Sequence, residues 1–100
     1  MRSFKHVADL VKNARLNHPR RYSQNEVSSL LGYKNGQFVS NVERGLCSVP
    51  LKKLDKLAIT LNIPREELKA AILRDFEATL SLYYGEIPPF KMVQKAEEVA

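Results

Sequence analysis

Cysteine is nearly absent from this chain of one hundred residues. The single Cys47 has no partner for an internal disulfide, and a zinc site built from several cysteines is excluded. Tryptophan is missing, and four glycines and five prolines are too few for collagen-like or low-complexity chains. Apolar runs are short, as in Leu57-Ala58-Ile59, where a membrane span would need about 20 apolar residues. Asp9 and Lys12 interrupt the N-terminal stretch, so no signal peptide is expected and a cytoplasmic, reducing location is. The two histidines, His6 and His18, are twelve positions apart, outside the three- or four-residue step that places two imidazoles on one helix face. No set of nucleophile, base and orienting group can be assembled. The chain therefore reads as a non-enzyme with no catalytic residue, no cofactor and no metal. Cys47 reads as a small apolar residue of a loop and both histidines as surface residues.

What is present is the composition of one folded domain. Apolar residues make up 44% and charged residues 27%, and a chain of this length buries roughly two-thirds of its unfolded surface. Charge is unevenly placed. Residues 1–62 hold eleven Lys and Arg against four Asp and Glu, a balance of +7, whereas residues 63–100 hold five against seven, a balance of −2. A basic two-thirds points to a polyanionic partner, with DNA, RNA and membrane phosphates all open on charge alone.

Periodicity divides the chain into helices. Phe4, Val7, Ala8, Val11 and Ala14 predict a first helix over about Ser3 to Leu16, stopped before Pro19. In Tyr22-Ser23-Gln24-Asn25-Glu26-Val27, Ser23 and Glu26 fit a capping box and Tyr22 and Val27 a hydrophobic staple, which starts a second helix at Gln24. Gly32 ends it. Asn35-Gly36 between apolar residues is also a hairpin signal, but only Tyr33 is available as a preceding strand, and Val39, Val42 and Leu46 keep helical spacing. A third helix from about Gly36 to Arg44 is expected, closed by Gly45. A fourth runs from Val49 or Pro50 to Leu61, with Ser48 as cap, Leu51, Leu54, Leu57, Ala58 and Leu61 inward, and Lys52, Lys53 and Lys56 outward. The fifth opens at Pro64 and extends to about Tyr84 along Leu68, Ala71, Ile72, Phe76, Thr79, Leu80 and Tyr83; Gly85 and Pro88-Pro89 end it. Residues 90–100 fit one more short amphipathic helix.

Two short helices around a glycine-containing turn, with one helix before and two after, form the layout that offers a helix to the DNA major groove. On the third helix Gln37, Ser40, Asn41 and Arg44 share the side opposite Val39 and Val42. Amides suit adenine edges and guanidinium suits guanine, yet the same stripe is also what an ordinary solvated helix face carries. The run Ser23-Gln24-Asn25-Glu26-Val27-Ser28-Ser29-Leu30-Leu31-Gly32, then Val39-Ser40-Asn41-Val42-Glu43-Arg44-Gly45, then Pro50-Leu51-Lys52-Lys53-Leu54-Asp55-Lys56-Leu57-Ala58, resembles the Cro/C1-repressor (XRE-like) helix-turn-helix family over about residues 4–70.

The resemblance implies an all-α, five-helix lambda-repressor-like helix-turn-helix domain with a lengthened fifth helix and a short C-terminal tail. It implies a sequence-specific regulator of transcription, most often a repressor, that binds double-stranded DNA as a homodimer. Gln24 then corresponds to a phosphate-contacting glutamine, with Arg21, Lys52 and Lys53 as further phosphate candidates. Base-reading candidates are Lys34, Asn35, Gln37, Ser40, Asn41 and Arg44. Glu43 corresponds to an acid that pairs with an arginine of the first helix, here Arg15. The chain carries one residue more than the usual spacing between Gly32 and Val39, and the link from Arg15 to Gln24 is two residues longer. Residues 1–70 form the DNA-binding unit in this reading and 71–100 a helical extension. Ile72, Phe76, Leu80 and Tyr83 on that extension suit a dimer seam, or else a helix folded back on the first helix. The alternative function is an antitoxin-type or adaptor protein that holds a protein partner through the fifth helix and tail.

Overall fold

The computed structural model describes residues 3–85. Among them are five α-helices and no strand: α1 (Lys5–Asn17), α2 (Gln24–Leu30), α3 (Gln37–Glu43), α4 (Leu54–Leu61) and α5 (Arg65–Tyr84), with a 3-10 turn at Leu51–Lys53 just ahead of α4. No helix among these residues is long and apolar enough to cross a membrane. The short helix expected over residues 90–100 lies outside the described residues. The all-helical expectation holds for the described part, and the hairpin alternative gives way to α3.

Local chemistry accounts for the helix ends. His18 precedes Pro19 and has left the helical region at ψ 137, as the ring of a following proline demands. At α2 both halves of the capping box form: the Glu26 N–H donates to the Ser23 hydroxyl at 3.1 Å and the Ser23 N–H donates to Glu26 Oε1 at 2.9 Å. The Ser23 backbone N–H first, and the Ser23 hydroxyl after it, hold Glu26 below its usual pKa by hydrogen bonding to its carboxylate. Gly32 (φ +92) and Gly45 (φ +73) sit in the left-handed region that terminates α2 and α3. Asn62 (φ 56) does the same for α4 without being glycine, a conformation asparagine tolerates better than most residues.

The core is aliphatic and rich in valine. Val7 and Val11 of α1, Val27 of α2 and Leu31 just after it, Val39 and Val42 of α3, Leu57 and Leu61 of α4 and Leu68 of α5 close on one another. Small branched side chains let the short helices approach closely. α1 lies at the centre, against α3, α4 and α5, while α2 packs on α3.

Several expectations need correction. The fourth helix begins later than Pro50, because the Lys53 N–H bonds to the Pro50 carbonyl at 2.9 Å and makes its opening a 3-10 turn. Ser48 is therefore too far upstream to cap it, and the tighter turn rotates Leu51 off the inward stripe, leaving it 84% exposed. Lys53, expected outward, is half-buried, with its ammonium donating to the Leu31 carbonyl at 2.7 Å. On α5 the inward face is Leu68, Ala71, Ile72, Asp75 and Thr79, and Phe76, Leu80 and Tyr83 form an exposed flank beside it.

Asp75 lies at the centre of that inward face. Only 4% exposed, its carboxylate accepts the His6 N–H at 2.8 Å and the Val7 N–H at 3.0 Å. These belong to the first turn of α1, which has no side-chain cap of its own. His6 Nδ1 lies 2.9 Å from the same carboxylate, so His6 is not a free surface histidine. One turn further along α5, the Thr79 hydroxyl accepts the Ser3 N–H at 2.9 Å. A carboxylate from α5 thus does for α1 what a local serine does for α2.

Candidate functional site

The corner where α2 meets α3 is built from hydrogen bonds that cross between elements. Ser28 is fully buried in α2, and its hydroxyl accepts the Val39 N–H at 3.2 Å, one of the otherwise unpaired donors of the first turn of α3. Asn35 closes a second donor there by accepting the Gln37 N–H at 2.9 Å. At the other end of α2, Lys53 tops the Leu31 carbonyl while its ammonium sits 5.4 Å from the centre of the Tyr33 ring, which stacks on Phe38 at 4.1 Å. Gly36 lies so close to α2 that a Cβ there would meet the Asn25 backbone nitrogen at 3.1 Å and run into the Asn25 side chain.

Beneath the corner lies a nearly buried ion pair. Arg15 Nε donates to Glu43 Oε2 at 2.6 Å and Nη2 to Oε1 at 2.9 Å, a two-pronged bond between side chains that are 13% and 3% exposed. Nη1 adds a bond to the Tyr22 carbonyl at 3.2 Å, and the Gln24 amide donates to Glu43 Oε1 at 3.0 Å. The Glu43 hydrogen bond first, and its charge after that, raise the Arg15 pKa further, against the opposing effect of desolvation. The first residue of α2 and the last residue of α3 are thus tied to the last turn of α1 through one carboxylate. The expected Arg15–Glu43 pair is present, and Gln24 joins it.

On the outer side of α3 the structure brings Gln37, Ser40, Asn41 and Arg44 onto one surface, Gln37 and Arg44 exposed and the other two half-buried. Gln37 Nε2 donates to Asn41 Oδ1 at 2.8 Å, so two amides one turn apart hold each other in place. The Gln37 carbonyl and the Asn41 amino group complete a donor–acceptor pair of the type that matches base edges. A shallow polar cleft runs beside it, lined by Gln24, Asn25, Asn35, Gly36, Gln37 and Ser40. Lys34 is exposed in the turn before α3.

The other candidates are dispersed. Arg21 is exposed in the link before α2 in a left-handed conformation (φ 49), and Lys52 is exposed on the 3-10 turn. Ile72, Phe76, Leu80 and Tyr83 lie along α5, Ile72 half-buried and the rest exposed. Cys47 is half-buried, and burial pushes its thiol pKa up, which suits an unreactive apolar residue. Among the described residues no group of three or more His, Cys, Asp or Glu is placed to hold a metal ion. Sequence reasoning missed Ser28 and Asp75. Ser28 sits on the apolar side of α2, one residue after Val27, and Asp75 stands four residues after Ala71 on an otherwise apolar helical face; a polar residue at a core position is the signal in both cases.

Compared with known proteins, the chain matches no family model, no curated protein and no solved structure.

Proposed function

We propose that this chain is a sequence-specific, double-stranded-DNA-binding regulator of the lambda-repressor-like helix-turn-helix type, in which α3 is the recognition helix and α2 its support. The observation that carries the reading is the stripe Gln37, Ser40, Asn41 and Arg44 on a helix whose remaining sides are fastened to α1 and α2. A seven-residue helix does not hold its shape alone, so crossing bonds that fix its orientation suit a surface that must match a groove. The residue pattern that resembles the Cro/C1-repressor family supports the same assignment, as does the +7 balance of residues 1–62. Lys34 and Asn35 flank the reading stripe. Arg21 and Lys52 are the phosphate contacts, with Gln24 and Lys53 bound in the free protein to Glu43 and Leu31 and open to phosphate on rearrangement.

Two copies paired along α5 would place two recognition helices in successive major grooves roughly 34 Å apart, on a pseudo-palindromic operator, and block a promoter by occupancy. Selection of bound duplexes from random DNA tests the reading. An enriched motif with two-fold symmetry supports it, and failure to enrich any sequence contradicts it. The second reading, a protein that grips a protein partner through α5, draws on the exposed flank Leu73, Phe76, Leu80 and Tyr83. It predicts no DNA enrichment together with loss of partner binding in Phe76→Ser.

A further inference from the structure

We propose that the cavity between the start of α1, the 3-10 turn, α4 and α5 is a binding site for a small ammonium compound with an apolar body. The cavity, about 440 Å³, falls within the roughly 300–1,000 Å³ of small-molecule sites. Core residues Val7 and Val49, half-buried Leu54 and Ile72, and the rings of Phe4 and Phe76 line it. Leu51 and Leu73 are exposed members of its wall and give access from solvent. No lining residue belongs to α2 or α3, so the site stands whether or not the chain binds DNA.

Charge selects the ligand. Residues 1–62 carry a balance of +7, yet among the described residues that line the cavity Asp75 is the one ionisable side chain. An anion would meet a buried carboxylate of its own sign there, and a cation would meet its partner. Asp75 also has an acceptor position to spare. A carboxylate offers about four such positions. Oδ1 takes the His6 N–H and faces His6 Nδ1 at 2.9 Å, and Oδ2 takes the Val7 N–H, so among the described residues Oδ2 keeps one position open. Phe4 and Phe76 add aromatic rings, whose faces attract an ammonium, and the aliphatic walls suit burial of an apolar body.

The test uses the full chain, methyl-labelled, and three probes of similar shape: phenylbutylamine, phenylbutanol and phenylbutyrate. The amine should shift the Leu51, Leu54, Ile72 and Leu73 methyl signals saturably and leave those of Leu31 in place. It should bind roughly tenfold more tightly than the alcohol, the lower end for a hydrogen bond to a charged group, with the acid weakest. Asp75→Asn should erase the advantage of amine over alcohol. Because Asp75 also holds α1, a second variant is needed: Phe76→Ser, at an exposed position, should fold and weaken amine and alcohol alike. Cavity signals unmoved by the amine, equal affinities for amine and acid, or amine binding undiminished in Phe76→Ser overturn the proposal. So do cavity signals that change with protein concentration, which assign the cavity to a second copy. Nuclear Overhauser contacts from residues 86–100 in the probe-free chain also overturn it, since they assign the cavity to the chain's own end.

Discussion

In the α2–α3 corner each helix end is closed by a neighbouring group: Ser23 and Glu26 at the start of α2, Lys53 at its end, Ser28 and Asn35 at the start of α3. Along α5 the polar bonds gather on one side, where Asp75 and Thr79 hold the start of α1, and the adjoining flank of Leu73, Phe76, Leu80 and Tyr83 meets nothing among the described residues that buries it. The first region spends its polar groups on fixing an orientation and leaves a hydrophilic face outward. The second is fixed along one face and leaves an apolar flank outward. A hydrophilic face held rigidly suits a partner recognised by hydrogen bonds, and an uncovered apolar flank suits one recognised by burial.

The sharpest way to break this contrast is to cut one bond set in each region. Glu43→Ala leaves Arg15 almost buried and unpaired, and should cost about 3–5 kcal/mol of stability by chemical denaturation. Phe76→Ser on the exposed flank should change the stability of the monomer by no more than about 0.5 kcal/mol. Equal losses would mean that the two regions are not built differently. Asp75→Ala comes next, at about 2–4 kcal/mol, since two backbone N–H groups of α1 lose their acceptor. Amide exchange should accelerate first at His6 and Val7. Ser28→Ala frees only the Val39 N–H and should cost about 1–2 kcal/mol, with faster exchange at Val39 and little change at His6.

The smallest effect is a pH dependence in the corner. Glu26 titrates below its usual value in the folded chain, so its contribution is present at neutral pH and is lost as pH falls through that lowered pKa. Carboxyl chemical shifts followed through an acid titration should show Ser23→Ala moving Glu26 part of the way back toward its ordinary range, because the backbone donor stays and the hydroxyl goes. An unchanged midpoint would mean that the hydroxyl does not act on the Glu26 carboxylate.

Where local rules dominate, the sequence was legible. Ser23 and Glu26, Gly32 and Gly45, and Pro64 ahead of α5 mark helix ends by chemistry that acts within a few residues, and the structure has each of them there. The Arg15–Glu43 pair was legible through resemblance, since nothing local links positions 28 apart. What escaped was chemistry across elements. Asp75 closes α1 from 68 residues away, Lys53 closes α2 from 22 and Ser28 closes α3 from 11, and periodicity carries no sign of such partners. The 3-10 opening of the fourth helix escaped for another reason: a period of 3.0 and one of 3.6 cannot be told apart over three residues. The outward stripe of α3 was readable as a face, while the bond that ties Gln37 to Asn41 was not.

The central claim is that the fastened α3 reads base edges. The measurement that bears on it most directly is a binding titration of Gln37→Ala and Asn41→Ala against the duplex enriched from random DNA, its single-base variants and a scrambled duplex, each at several salt concentrations. The account predicts that affinity for the enriched duplex falls by about 1–3 kcal/mol per substitution, that preference relaxes at one or two base positions, and that scrambled-DNA binding keeps its strength and its salt dependence. Equal losses on all three duplexes, or affinity that does not change with salt, would contradict it.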